Sequence, residues 1–234
     1  PELPLVHLAG ASRDETKLLL FAGSDTDAGR YYLYDKGSRQ LNELALVRPQ
    51  LEAMPLAPVK PVSYPASDGT QIPGYLTLPP NSEGKNLPAI VMPHGGPSAR
   101  DEWGFDWLAQ YFAHQGYAVL QPNFRGSAGY GDDWYAENGF KSWRTSVGDV
   151  NDAGKWLVKE GIARSAGLGV VGWSYGGYAA LQAGVLDADL FKAVVAIAPV
   201  TDLKMLVEQS RFYTNSKLVE EFVGTGSHVA EGSP

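Results

Sequence analysis

The sequence predicts an α/β protein: a mostly parallel sheet covered by helices on both faces, preceded by a short antiparallel β segment. Three observations predict it. After residue 60, apolar runs of strand length alternate with segments of helical periodicity, the pattern of a parallel sheet buried on both faces. One such run, residues 167–171, passes through a glycine-flanked turn into a helix-compatible stretch, residues 178–185. Before residue 60 the chain holds only short strand-like runs separated by turn residues.

The early segment reads as one meander of about three strands. Residues 17–22 are a mostly apolar run, and residues 23–29 a polar turn rich in Gly, Ser and Asp. Residues 31–34 (Tyr, Tyr, Leu, Tyr) form a second strand, residues 36–39 a turn, and residues 41–47 a third strand. Such a meander is too small to be stable alone and reads as a sheet detached from a larger β array. Residues 49–61 hold four prolines and read as a linker. The expected division is therefore residues 1–59, β segment and linker, and residues 60–234, the α/β unit.

In the second unit, residues 62–65 and 71–78 suggest a hairpin around Ser67, Asp68 and Gly69. Residues 87–92 form an apolar strand that ends at His94-Gly95-Gly96-Pro97. Residues 105–114 carry Phe105, Leu108, Ala109 and Phe112 on one helical face, and residues 117–121 are the next strand. Residues 147–159 predict a helix with Val150, Ala153 and Leu157 inward, and Ser146 and Asp149 as a capping pair. The run at 167–171 and its helix follow, then a strand over residues 193–198.

Composition narrows the function classes. At 234 residues and 44% hydrophobic, the chain suffices for one large domain, or one domain with an appendage. The net charge of −7 and the absence of a lysine/arginine cluster argue against nucleic acid as a partner. No cysteine is present, which excludes disulfides, thiolate zinc sites and cysteine nucleophiles. No run of about 18 apolar residues occurs, so no membrane span is expected. The compartment stays open, with the cytoplasm favoured over the periplasm, and self-association is left open. Pro1 is not an initiating methionine, and the chain reads as a piece of something longer.

Gly172-Trp173-Ser174-Tyr175-Gly176 is the most informative stretch. A strand turning sharply into a helix forces the central residue into a strained backbone, and small residues two positions either side let strand and helix approach. The serine oxygen is then presented at the C-terminal edge of the sheet, at a helix N-terminus. The glycine loop at His94-Gly95-Gly96 supplies the second requirement of acyl transfer, a donor for the developing oxyanion. On an α/β-hydrolase fold one donor is the N–H after the nucleophile, here Tyr175, and the other comes from the loop after the third strand. His94 lies on that loop and precedes the serine, so it reads as shaping the loop rather than as the base.

Three blocks carry a resemblance to the prolyl oligopeptidase family of serine peptidases, in particular its acylaminoacyl-peptidase and dipeptidyl-peptidase branches. They are Met92-Pro93-His94-Gly95-Gly96-Pro97, Asn123-Phe124-Arg125-Gly126-Ser127-Ala128-Gly129-Tyr130-Gly131, and Gly172-Trp173-Ser174-Tyr175-Gly176-Gly177-Tyr178, in matching order over residues 58–211. In that family a β-propeller precedes an α/β-hydrolase domain, so the early meander resembles a last blade. The resemblance implies Ser174 as nucleophile, Tyr175 and Gly96 as oxyanion donors, short peptides as substrates, and no metal or organic cofactor.

Other residues divide between functional and structural readings. Arg125 reads as pairing with a nearby acid to hold its loop, the alternative being a substrate carboxylate. Tyr130, Trp134, Tyr135 and Trp143 read as covering the sheet, the alternative being a substrate tunnel. Asp132 and Asp133 read as a solvated turn.

The chain departs from the family in two ways. The triad acid and histidine are implied about 80 and about 110 residues after the serine, whereas 60 residues follow Ser174. The expectation is that both lie outside this sequence; a self-contained Ser174, Asp202 and His228 set is the alternative. The tyrosines that wall a proline pocket are replaced near Leu206 and Ser210, with Phe212 and Tyr213 beyond. The substrate side is therefore assigned to Trp173, Leu206, Phe212 and Tyr213, which would accept apolar side chains. Two readings of other classes remain: a carboxylesterase or lipase, and a non-catalytic binding module that keeps the serine turn as scaffold.

Overall fold

A computed structural model describes residues 3–135 and 139–234. Four strands, β1 (Leu5–Ala11), β2 (Lys17–Gly23), β3 (Arg30–Asp35) and β4 (Gln40–Leu46), form an antiparallel meander in sequence order. A four-stranded meander is the size of one propeller blade. β1 adds a strand to the three that the sequence predicts. Five of its seven residues are exposed, so no inside–outside alternation marks it.

The linker is shorter than its prolines suggest. It opens as a 3-10 turn, Pro49–Leu51, and ends where β5 (Val59–Pro65) begins. β5 pairs with β6 (Gln71–Thr77) around the predicted turn, and β6 pairs antiparallel with β8 (Ala118–Pro122). β7 (Leu87–Val91), β8, β9 (Ala163–Trp173) and β10 (Ala193–Ile197) run parallel, and the sheet order is β10-β9-β7-β8-β6-β5. The chain leaves β7 toward β8 on one side and returns to β9 on the other. The order therefore reverses at β7, and a crevice opens at the C-terminal ends of these strands.

Strand pleating assigns the core. Ala89 and Val91 of β7, Ala118 and Leu120 of β8, and Leu168 and Val170 of β9 point into the larger cluster, under α3 (Trp143–Lys159) and α4 (Tyr175–Leu186). The intervening Ile90, Val119 and Val171 face Ala109 of α1 (Trp107–His114) in a second cluster. α1 starts where the Asp106 carboxylate accepts from the N–H groups of Leu108 and Ala109. The remaining helices are short: α2 (Asp132–Tyr135), α5 (Leu203–Ser210), α6 (Ser216–Val223) and α7 (His228–Glu231).

Two expectations need correction. Ser146 and Asp149 do not cap α3, which begins one turn earlier, at Trp143. Both are buried inside it, with their polar atoms aimed at the loop after β8. Asp132 and Asp133 lie in α2 rather than in a turn.

The two sheets are joined by hydrogen bonds rather than by chain alone. The buried Gln110 side chain accepts from Ala57 N (2.8 Å) and donates to the carbonyls of Ala57 (2.7 Å) and Asp25 (3.1 Å). The Asp25 carboxylate accepts from Val59 N, and Trp103 Nε1 donates to Val59 O. At the opposite edge, Val194 and Val195 of β10 are exposed. A hollow of about 730 Å³ runs along that end of the sheet, between Leu108, Tyr111 and Phe112 of α1 and Gly169, Val171 and Val195.

Candidate active site

Ser174 is the hinge between β9 and α4. Its backbone sits at φ 58°, ψ −119°, a region that costs a non-glycine residue free energy and persists only where surroundings impose it. Its N–H donates to Ile197 O at 2.9 Å and its carbonyl accepts from Tyr178 N at 3.0 Å, fixing the turn from both sides. The flanking glycines make the turn possible. A Cβ on Gly172 would lie 1.9 Å from Gly176 O, and one on Gly176 would lie 2.1 Å from Pro93 O. Ser174 is exposed at the C-terminal edge of the sheet and opens α4, whose first N–H groups have no helical partner.

The loop after β7 lies against this turn. A Cβ on Gly95 would sit 3.1 Å from Trp173 O and 3.5 Å from Ser174 Cβ. Gly96 has φ 122°, a conformation that other residues rarely adopt, and a Cβ there would meet Ser98 N at 2.7 Å. His94 is held beneath the loop. Its ring stacks on Phe124 at 4.4 Å, Nδ1 lies 2.7 Å from Gly95 O, and Nε2 lies 2.7 Å from Ser127 Oγ. Burial pushes its pKa down to about 4, so it is neutral near pH 7. This is the loop-shaping position, and both ring nitrogens are occupied.

The second sequence block holds the other two together. Asn123 binds residue 101 at both ends, accepting from Asp101 N (2.8 Å) and donating to Asp101 O (3.0 Å), and it also donates to Tyr130 Oη (2.9 Å). Arg125 pairs with Asp149 through Nη2 (2.7 Å) and Nε (3.0 Å), and its backbone N–H donates to the same carboxylate. A further Arg125 nitrogen reaches Asp68 on the β5–β6 turn. The paired carboxylates raise the Arg125 pKa further, and Arg125 holds that of Asp68 down at about 2. Burial pushes Asp149 up, against the opposing pull of Arg125. Arg125 is thus a loop anchor. Among the aromatics, Trp143 is buried, Trp134 donates to Phe124 O, and Tyr135 is exposed with its hydroxyl on Ser98.

The sequence-assigned residues separate into two groups. Ser174, Tyr175, Gly96 and Trp173 come together. Trp173 lines a hollow of about 160 Å³ with Met92, His94, Gly95, Trp107 and Ile197. Leu206 packs on the main core from α5, while Phe212 and Tyr213 follow that helix as exposed side chains. Asp202 caps α5 by accepting from Met205 N, and His228 Nε2 lies 2.6 Å from Val223 O. Neither is engaged with Ser174. Sequence reasoning quoted Asn123 and Ser127 in the second block without giving them a role, and it missed Gln110 and Asp101. Asp101 stands out: burial, with Asp106 nearby, pushes its pKa up to about 7, and its Oδ2 is shielded with no partner among the described residues. No cluster of three His, Cys, Asp or Glu side chains suited to a metal occurs among the described residues.

A serine on a strand–helix elbow, at the C-terminal edge of a parallel sheet and beneath a glycine loop, defines the α/β-hydrolase fold. The chain belongs to the prolyl oligopeptidase family, whose profile matches residues 103–225. It is 35% identical to dipeptidyl aminopeptidase BIII of Pseudoxanthomonas mexicana over 202 residues, 83% of this chain and 29% of that protein. It is 30% identical to dipeptidyl peptidase family member 6 of Caenorhabditis elegans over 224 residues, 87% of this chain and 30% of that protein. The chain thus spans under a third of the length of these relatives. Among solved structures, Pyrococcus horikoshii acylaminoacyl peptidase superposes on the whole chain with a TM-score of 0.77 at 22% identity, covering 38% of its own length. That likeness shows the fold.

Proposed function

We propose that these residues are the nucleophile-bearing part of a serine peptidase acting on short peptides. The observation that carries this is Ser174 at φ 58° on an elbow that two glycines permit, facing the Gly95–Gly96 loop. Ser174 Oγ attacks the peptide carbonyl and forms an acyl-enzyme, which water then hydrolyses. The tetrahedral oxyanion is received by the N–H groups of Tyr175, at the start of α4, and Gly96. Gly96 is outside any helix or strand, and its N–H has no partner among the described residues.

The base is not one of the histidines of this sequence. His94 is bound to Gly95 and Ser127, His114 ends α1, His228 lies on Val223 O, and His7 belongs to the meander. We assign the proton-transferring histidine and its carboxylate to residues outside these 234. Family membership and the blade-sized meander, joined to the α/β unit through Gln110, favour a peptidase over an esterase or a scaffold. Residues 1–59 and 60–234 are taken as the two units. Trp173, Leu206, Phe212 and Tyr213 remain the proposed substrate side, Phe212 and Tyr213 requiring a covering segment to form a pocket wall.

The test is hydrolysis by the full-length protein of short peptide anilides with an apolar residue before the cut, beside casein-sized chains. Short substrates should be strongly preferred, and Ser174→Ala should lose activity by several orders of magnitude. Equal cleavage of large chains, or activity retained in Ser174→Ala, would refute the reading.

A further inference from the structure

We infer that the hollow on the α1 face of the crevice is a subsite for a positively charged residue on the leaving-group side of the peptide, held by Asp101 and Asp106 beside Trp107 and Trp173. The inference rests on the serine-peptidase reading above and deepens it. Strand pleating puts Trp173 on the same face as Val171, which packs toward α1, whereas Leu206 packs against the opposite face. A peptide held across the sheet edge at Ser174 therefore has one side of its scissile bond on each face. With the residue before the cut assigned to Leu206, Phe212 and Tyr213, the residues after the cut fall on the α1 face. There lies the hollow of about 160 Å³ that Trp173 lines with Trp107, Asp101 and Asp106.

The chemistry of that hollow suits a cation. Asp106 caps α1 with one oxygen, Oδ1, and its Oδ2 has no partner among the described residues. Asp101 likewise uses Oδ1 to accept from Gln121 Nε2, and its Oδ2 is shielded without a partner. Arg100, its neighbour in sequence, lays its guanidinium on the Tyr130 ring instead, 4.8 Å from the centroid. Burial leaves such a carboxylate short of a donor, and an ammonium or guanidinium supplies the donor and the opposite charge together. The exposed indoles of Trp107 and Trp173 add aromatic surface, which attracts a cation and packs on the apolar stem of Lys or Arg. An acidic side chain would meet two like charges there and be rejected. Asp101 is held in place for this role, because Asn123 grips its backbone at both ends.

The test uses the full-length protein and internally quenched peptides that share one apolar sequence before the cut. They carry Lys, norleucine or Glu at the first or the second position after it, and mass spectrometry confirms the cleaved bond. At one of those positions Lys should exceed norleucine in kcat/KM by at least about tenfold, the contribution of one charge-assisted hydrogen bond, and Glu should fall below norleucine. Asp101→Asn and Asp106→Asn keep the Gln121 acceptor and the α1 cap but remove the charges. Each should lower the Lys-to-norleucine ratio by about threefold or more, and the double variant should bring the two substrates to within about twofold of each other. Glu102→Gln, at an exposed carboxylate outside the hollow, should leave the ratio unchanged. The inference is overturned if Lys gains nothing at either position, or if the double variant keeps the preference. It is also overturned if Glu102→Gln lowers the ratio as much, which would trace it to the chain's overall negative charge. The ratio is read within each variant, so a loss of overall rate does not obscure it; should one asparagine variant fail to fold, the other decides. Wild-type protein that cleaves none of the peptides, or Ser174→Ala that cleaves them all, would instead overturn the peptidase reading, and this inference with it.

Discussion

The strained φ of Ser174 is sustained by contacts that admit no side chain. Gly172→Ala should therefore abolish activity and lower stability by about 3 kcal/mol or more, since its Cβ would overlap the Gly176 carbonyl and neither backbone can retreat. Chemical denaturation beside peptidase assay checks this; a folded, active alanine variant would contradict it. Asp101 gives a second residue-scale prediction. Its folded pKa, about 7, lies above the ordinary 3.8, so the native state retains a proton that the unfolded chain releases. Ionisation of the unfolded chain then destabilises the fold progressively as pH rises from about 4 to about 7, and the penalty is constant above that. Asp101→Asn keeps an acceptor for Gln121 Nε2 and removes the buried charge beside Asp106. Its thermal midpoint relative to wild type should rise across pH 4–7, by up to about 4 kcal/mol in stability, and then level off. A difference that is flat or falls with pH would refute the assignment.

At the scale of elements, the site is a junction of three loops, and its main fastener is Arg125 with Asp149. Asp149 is fully buried in α3 and receives three donors from one residue, so Asp149→Ala leaves a guanidinium without its partner in the interior. A loss of about 3–5 kcal/mol is expected, measured by urea unfolding; a change under 1 kcal/mol would mean that Asp68 suffices. The sequence made the elbow and the glycine loop legible, because close backbone approach leaves only glycine at named positions. The strand and helix alternation was legible from periods of 2 and 3.6. The fastenings were not: Asn123 grips residue 101 and Arg125 grips residue 149 across the edge of the sheet, and no local pattern encodes a partner more than twenty residues away. Ser146 and Asp149 imitate a capping box by spacing, yet α3 had already begun at Trp143, and burial turned both groups toward the β8 loop instead. β1 escaped notice because its exposed residues do not alternate.

For the molecule as a whole, the two sheets are set against one another through Gln110 and Asp25, while the β9–β10 end of the larger sheet lies open. The division into a meander and an α/β unit was legible in the shift of pattern near residue 60. The hydrogen-bonded clamp between them was not, since Gln110 looks like any polar position of an amphipathic helix. The clamp keeps the meander beside Asp101, where Leu5 and Phe21 share a hollow with Arg100 and Asp101. By themselves these 234 residues are expected to hydrolyse neither peptides nor esters, since no histidine is hydrogen-bonded to Ser174 among the described residues. The central claim is that Ser174 is the nucleophile. Its most direct test is intact-mass and peptide-mapping analysis of the full-length protein after exposure to a fluorophosphonate. The account predicts one adduct, on Ser174, accompanied by loss of activity and absent from Ser174→Ala; an adduct on another serine, or one that persists in Ser174→Ala, would contradict it.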